Sequence, residues 1–259
     1  INKEEKSVYE NFVNDINFKN GRYVVKLPIK EYMPTISTNK QLAEKRLIKL
    51  TERLKNDEVT MKRYDDVFKE QLDCNIIEEV EEHDTGVKNM TTFIPHQAVI
   101  NEKSPSKFRV VLDCSAKSKN GVSLNDILYK GPTMLNNLFN LLLNFRLHNM
   151  ALTADIRKAY LMIEVDESHR DLMRCLWWDD VFKEDRKMIT YRFRRVIFGA
   201  TPSQFLLNAT INEHAKKYDE IDPEFSRTLR KDFYADDLCS GASSYEEGLP
   251  MFKKLRIRM

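Results

Sequence analysis

The sequence predicts an α+β fold, and three observations carry that expectation. Apolar residues follow helical spacing over much of residues 1–75, and the remainder mixes helical stretches with short apolar runs. Those runs are bounded by polar, turn-forming segments, as strands are. The composition, 42% apolar and 32% charged over 259 residues, is that of a globular chain able to bury a core as one large domain or two modest ones. Glycine is scarce, at 7 residues, which disfavours architectures built on glycine-rich loops. No apolar stretch approaches the ~18 residues of a membrane span, so no membrane partner is expected. Lys and Arg number 42 against 40 Asp and Glu, and a net charge of +2 points to no class of partner. The chain opens on Ile1 without an apolar leader and is expected to be a piece of a longer one.

Taken in order, residues 1–38 read as irregular apart from a short strand at 22–27. A helix is expected over 39–56, where Leu42, Leu47, Leu50 and Leu54 recur at near-helical spacing. A second, over 60–74, puts Tyr64, Val67, Phe68 and Leu72 on one face. Strands follow at 76–80, 91–99 and 108–112, the last two separated by the turn-like INEKSPSK. Pro132 stands where a helix would begin, and 133–148 supplies the pattern, with Leu135, Leu138, Leu142 and Phe145 sharing a face. Residues 150–156 form an apolar strand that reaches Asp155. Strands at 172–178 and 188–193 pair around a charged turn, helices cover 203–218 and 222–230, and a last helix covers 245–258. Between them, FYADDLCS at 233–240 is two short apolar runs pinched at an acidic turn. The four cysteines, Cys74, Cys114, Cys175 and Cys239, are far apart, with no CxxC pair and no histidine at ligand spacing. Reduced thiols are expected, not a zinc site.

Asp-Asp occurs three times, which provides an internal control. Asp65-Asp66 lies in a helical pattern and is expected on its solvated face. Asp179-Asp180 opens a charged loop and reads as turn chemistry. Asp236-Asp237 differs, because Phe233 and Tyr234 precede it and Leu238 and Cys239 follow. Two adjacent carboxylates at the tip of an apolar hairpin repel each other unless cations neutralise them. Asp155 ends an apolar strand of similar character. Three carboxylates at neighbouring strand ends could hold two Mg²⁺ about 4 Å apart, the arrangement of two-metal phosphoryl transfer.

The wider context sharpens that reading. Tyr234-Ala235-Asp236-Asp237 resembles the Tyr-x-Asp-Asp box of reverse transcriptases, and Asp155 in LTADIRKAYLMIEV resembles their first catalytic aspartate. FRVVLDCSAKSKNGVSLND resembles the triphosphate-gripping fingers segment, and RRVIFGATPSQFLLN the segment against the incoming nucleotide. FRVVLDCSAK, SLNDILYKGPTM, LTADIRKAYLMIEV and FLLNATI are most similar to the Bel/Pao class of long-terminal-repeat retrotransposons. The resemblance covers nearly the whole chain. It implies a palm, an antiparallel sheet backed by helices, with an interleaved fingers subdomain and no thumb. Residues 1–39 would be a lead-in and 40–259 the polymerase, with fingers roughly at 40–130 and 160–200 and palm elsewhere. It implies RNA-directed DNA synthesis: dNTPs are added to a primer 3′-hydroxyl on an RNA or DNA template, with Mg²⁺ (or Mn²⁺) held by Asp155, Asp236 and Asp237. Arg109 with Lys103 or Lys107 would hold the triphosphate, Tyr160 would gate the sugar, and Phe198 and Gly199 would line the nucleotide pocket. Phe198 stands where retroviral enzymes often carry glutamine, so that contact does not transfer. The parent would be a polyprotein with protease, ribonuclease H and integrase regions, intracellular, in a cytoplasmic retroelement particle or the nucleus. The rivals are an RNA-dependent RNA polymerase, against which Tyr160 argues, and a decayed or domesticated fragment that binds nucleic acid or protein.

Alternation along 108–112 puts Arg109, Val111 and Asp113 on one face, which leaves Arg109 free to reach a phosphate. The alternative is a surface arginine paired with Asp113; for Tyr160 it is an ordinary core tyrosine. Basic runs at 103–119, 186–195 and 253–258 suit nucleic-acid contact or a solvated face equally, and YRFRR at 191–195 alternates cations with aromatics. His96 is expected to be structural.

Overall fold

The structure is a computed structural model. It describes residues 2–32, 36–87, 90–101 and 104–259, and excludes the side chains of residues 100, 101 and 104–107. Its helices are α1 (Lys3–Asp15), α2 (Lys40–Leu54), α3 (Glu58–Asp73), α4 (Leu124–Ile127), α5 (Leu138–Phe145), α6 (Ser203–Lys216), α7 (Pro223–Lys231) and α8 (Tyr245–Arg258). Its strands are β1 (Asn17–Lys19), β2 (Arg22–Val25), β3 (Ile77–Glu79), β4 (His96–Asn101), β5 (Ser104–Leu112), β6 (Met150–Asp155), β7 (Glu164–Val165), β8 (Arg174–Trp178), β9 (Met188–Phe193), β10 (Phe233–Tyr234) and β11 (Asp237–Ala242). The fold is α+β with small sheets, as expected. Among the described residues no helix is long and apolar enough to cross a membrane. The chain divides into two compact units, Ile1–Asp15 with Gly131–Ala159 and Gln204–Met259, and Ile16–Lys130 with Tyr160–Ser203. Residues 1–15 belong to the first of these units and residues 16–39 to the second.

The first unit is built on the antiparallel sheet β10-β11-β6. Along β6, Met150, Leu152 and Ala154 turn inward while Ala151, Thr153 and Asp155 are exposed. On β11, Leu238, Ser240 and Ala242 are buried, and α5 and α8 pack on this strand. Gly241 is required by close approach: a Cβ there would lie 2.4 Å from His148 Cβ and 2.5 Å from the Met150 carbonyl oxygen. The helix α1 replaces the irregular segment expected at the N-terminus. Its signal is a reciprocal box in which Asn2 and Glu5 side chains accept each other's backbone N–H at 2.8 and 2.9 Å. Its apolar stripe is thin, Val8 and Phe12, with Phe12 edge-on to Phe205 at 5.4 Å between ring centres. The helix expected over 133–148 shortens to α5, because Asn137 caps it by accepting the Asn140 N–H at 3.0 Å. The face it buries is also different: Leu141 is covered, and Leu138 and Leu142 are exposed.

The second unit carries the sheets β1-β2-β7, β3-β9-β8 and β4-β5. Trp177 of β8 stacks on Tyr64 and Phe68 of α3, with ring centres 4.6 and 4.8 Å apart. Its indole N–H donates to Asp65 at 3.0 Å, and Lys69 pairs with the same carboxylate at 2.6 Å. Asp65 is thus 4% exposed and internal, not on a solvated face; Asp66 pairs with Lys62 outside. Helical period alone could not separate the two, because the partner indole comes from a strand 112 residues on. His96 lies in the same aromatic cluster, its Nε2 at 2.8 Å from the Leu176 carbonyl and its Nδ1 at 2.6 Å from the Tyr64 hydroxyl. A carbonyl only accepts, so Nε2 carries the proton and Nδ1 accepts from Tyr64.

The run at 191–195 belongs to this interior too. Arg192, Arg194 and Arg195 bind Glu78, Glu164 and Asp171, joined by Arg170 and Arg174. Arg174 is 2% exposed and also holds Asp84. These arginines are engaged by carboxylates, which corrects the expectation of a nucleic-acid contact or a solvated face. In α8, Lys254 and Arg258 both pair with Asp222 at 2.8 Å, and Arg258 lies over Tyr218 and Phe225. The Asp179-Asp180 turn is as read: Asp179 accepts from Asp180 and Lys187 N–H groups, each at 2.8 Å.

Candidate active site

Within the first unit, register sets two of the three sequence-predicted carboxylates, Asp155 and Asp237, opposite each other on one short sheet, and Asp236 lies in the adjoining turn. Asp237 opens β11 and is the direct partner of Asp155, the last residue of β6. Directly opposed residues of an antiparallel pair project to the same face, their Cβ atoms about 5 Å apart. Tyr234 is the partner of Asp237 on the other side, so Tyr234, Asp237 and Asp155 form one row across the sheet. Asp155 and Asp237 are exposed. Asp236 stands between Tyr234 and Asp237 in a two-residue turn, and its carbonyl accepts the Ile156 N–H at 3.0 Å. That bond ties the hairpin tip to the chain leaving Asp155.

The turn is strained at one place. Ala235 sits at φ +58°, the left-handed region where glycine is the usual occupant. A two-residue hairpin needs such a conformation to match strand twist. The base of the hairpin is held by Asn136, which donates both amide hydrogens, to the carbonyls of Arg230 and Phe233, each at 2.8 Å. Asp232 adds a bond from the Ser240 hydroxyl at 2.6 Å and accepts the Cys239 N–H on its carbonyl at 2.8 Å. The Cys239 thiol has its pKa raised, first by burial and then by Asp237 and Asp232, so it stays protonated beside the acids. Nothing in the sequence separates the role of Asn136 from that of Asn137, which follows it directly and caps α5.

Like charges placed directly opposite each other are unfavourable, so the Asp155–Asp237 pair invites a cation. Among the described residues, no three His, Cys, Asp or Glu side chains are gathered into a ready cation cage. Mg²⁺ does not require one. It keeps several waters and binds through one or two carboxylates together with substrate phosphates. The opposed pair, all hard oxygen donors, fits that demand.

No protein-family profile matches the chain, and no curated protein matches it in sequence.

The remaining predicted residues belong to the second unit. Lys103 lies outside the described residues, and Lys107 is on β5 with its side chain outside them. Arg109 is exposed on β5, opposite Val99. Val111 beside it is exposed as well, and Phe108 packs edge-on to Tyr64 at 5.6 Å, as alternation requires. Asp113 pairs with Arg46 at 2.5 Å, so the pairing with Arg109 weighed from the sequence is not the one formed. β4 begins only at His96, so residues 91–95 of the expected strand lie outside it, but it ends two residues later than expected and β5 starts four residues earlier, and the two absorb most of the turn-like segment between them.

Phe198 is 59% exposed, and its ring meets that of Tyr160 edge-on at 4.4 Å. Gly199 follows at φ +94°, and a Cβ there would sit 2.9 Å from the carbonyl oxygen of Leu112, the last residue of β5. Only glycine permits that approach. Tyr160, Phe198, Gly199 and the strand bearing Arg109 therefore form one continuous contact chain inside this unit, although they are far apart in sequence.

Proposed function

We propose that the chain is the fingers and palm of an RNA-directed DNA polymerase of the Bel/Pao retrotransposon kind, adding dNTPs to a primer on an RNA or DNA template. The observation that carries this reading is the register of β6 with β11, which sets Asp155 directly opposite Asp237 with Asp236 at the adjoining tip. The first unit then corresponds to the palm and the second to the fingers. Asp155, Asp236 and Asp237 would hold Mg²⁺, which when bound activates the primer 3′-hydroxyl and neutralises charge on the triphosphate. Arg109, exposed on its strand, suits bidentate binding of phosphate oxygens and stabilisation of charge that develops on them. The Tyr160 ring, fixed edge-on by Phe198, offers a rigid wall where a sugar would rest. Phe198 presents an exposed aromatic face suited to base or sugar packing.

Divalent-cation binding tests the reading without requiring turnover. Mn²⁺ titrated into the chain, followed by paramagnetic broadening, is expected to bind, and Asp236→Asn is expected to bind it more weakly. Equal affinity in the two proteins would remove Asp236 from the cation site.

A further inference from the structure

We propose that Asn125 is a positioning residue for the incoming nucleotide, acting as the latch that holds the Phe198–Gly199 segment on the end of β5; this rests on the polymerase reading above. Three hydrogen bonds converge on its side chain. The amide nitrogen donates to the Gly199 carbonyl at 3.0 Å and to the Ser115 hydroxyl at 2.9 Å. The amide oxygen accepts the Thr201 N–H at 2.8 Å. Gly199 O can only accept and Thr201 N can only donate, so the orientation of the amide is fixed by its partners. Its backbone N–H donates to the Cys114 carbonyl at 3.1 Å, so the same residue also grips the chain leaving β5.

The platform beneath Asn125 is rigid. Ser123 and Asp126 close a capping box on α4, and Lys117 pairs with Asp126. Leu124 and Ile127, on either side, are both buried. Asn125 therefore projects from an anchored turn toward a loop whose only backbone fit, at Gly199, leaves no room for error against Leu112. Without the latch the Gly199 segment keeps its packing on Leu112 but loses the bonds at the Gly199 carbonyl and the Thr201 N–H that fix its height. Phe198 and, through it, Tyr160 would then sit less well defined relative to Arg109. The residues the latch aligns touch the nucleotide, whereas Asn125 itself acts through them.

The test uses Asn125→Asp in the full 259-residue chain. The substitution is nearly isosteric, retains the acceptor for Thr201, and places a carboxylate in the first turn of α4, where it is tolerated. It removes both donors and sets an acceptor against the Gly199 carbonyl. The expected result is a rise of about ten-fold in KM for dNTP, with kcat and template–primer Kd nearly unchanged in a variant that still folds cooperatively. Gly199→Ala displaces the same loop, so the double variant is expected to be little worse than the more impaired single one. An unchanged KM in Asn125→Asp, or fully additive losses with Gly199→Ala, would overturn the assignment while the polymerase reading stands. A wild-type chain that neither extends a primer nor binds dNTP would instead overturn the polymerase reading, and the latch with it.

Discussion

Tyr160 is 8% exposed and its ring meets that of Phe198 in a T-shaped contact, so what it can do for a ligand is done by a small part of its surface. Exclusion by such a surface works through overlap, and trimming it should admit a larger sugar. Tyr160→Ala is expected to raise ribonucleotide use relative to deoxyribonucleotide use by about ten-fold, roughly 1.4 kcal/mol of discrimination, in single-nucleotide extension with matched pairs. An unchanged ratio in a folded variant would return Tyr160 to the core. His96 makes a separate prediction. Burial pushes its pKa down to about 4, from an ordinary value near 6.5. Between those values the unfolded chain takes up a proton that the folded chain refuses, so stability is full above pH 6.5 and falls as the pH drops toward 4. The loss attributable to this one group is roughly 3 kcal/mol. His214 is shifted in the same direction, so the measurement is the difference made by His96→Gln, which should flatten the dependence of unfolding free energy on pH in that window. Asp222, held down at about 2 by Lys254, does not interfere, because its contribution is lost only below pH 4. Residues that carry their own context were readable from sequence: Asp155, Asp236 and Asp237 stand out because charge at an apolar strand end is costly. Asp65 and Asn125 were not readable, because what makes each of them matter is a partner more than 70 residues away.

At the scale of elements, the network under β9 is the most exacting feature of the second unit. Glu164 of β7 alone binds Arg170, Arg194 and Arg195. Removing one partner from a buried ion network leaves the others uncompensated, which costs more than the pair contributes. Glu164→Ala is accordingly expected to lower stability by about 3 kcal/mol, seen as a drop of several degrees in melting temperature. A melting temperature that does not move would mean that water reaches and solvates these arginines. The sequence hinted at this element only as a basic run, since pattern shows where cations are but not which acids they meet. Helices with a broad stripe, α2 and α3, were legible to within a few residues. The helix α1 was not, because two buried apolar residues among charges leave little period to detect. For α5 the leucines are so frequent that period could not choose the buried face, and the Asn137 cap set the start. On the hairpin side β4 and β5 outran their apolar cores, because backbone pairing continues through polar residues once a hairpin is closed.

At the scale of the whole chain, the α+β class followed from texture, whereas the division into two interleaved units comes from long-range pairings that local pattern does not encode. The unit holding the acid row and the unit holding Arg109, Tyr160, Phe198 and Gly199 each assemble their own share of the residues that the resemblance picks out. In the proposed function Asp155, brought opposite Asp237 by strand register, serves template-directed DNA synthesis. The most direct measurement is primer extension by the 259-residue chain on an RNA template with dNTPs and Mg²⁺, run beside Asp155→Asn. Mg²⁺-dependent extension is expected of the wild-type chain, and a loss of at least about a thousand-fold in the variant, whose melting temperature is unchanged. Extension that survives in Asp155→Asn, or its absence from a folded wild-type chain that is supplied with template, primer, dNTPs and Mg²⁺, would contradict the proposed function.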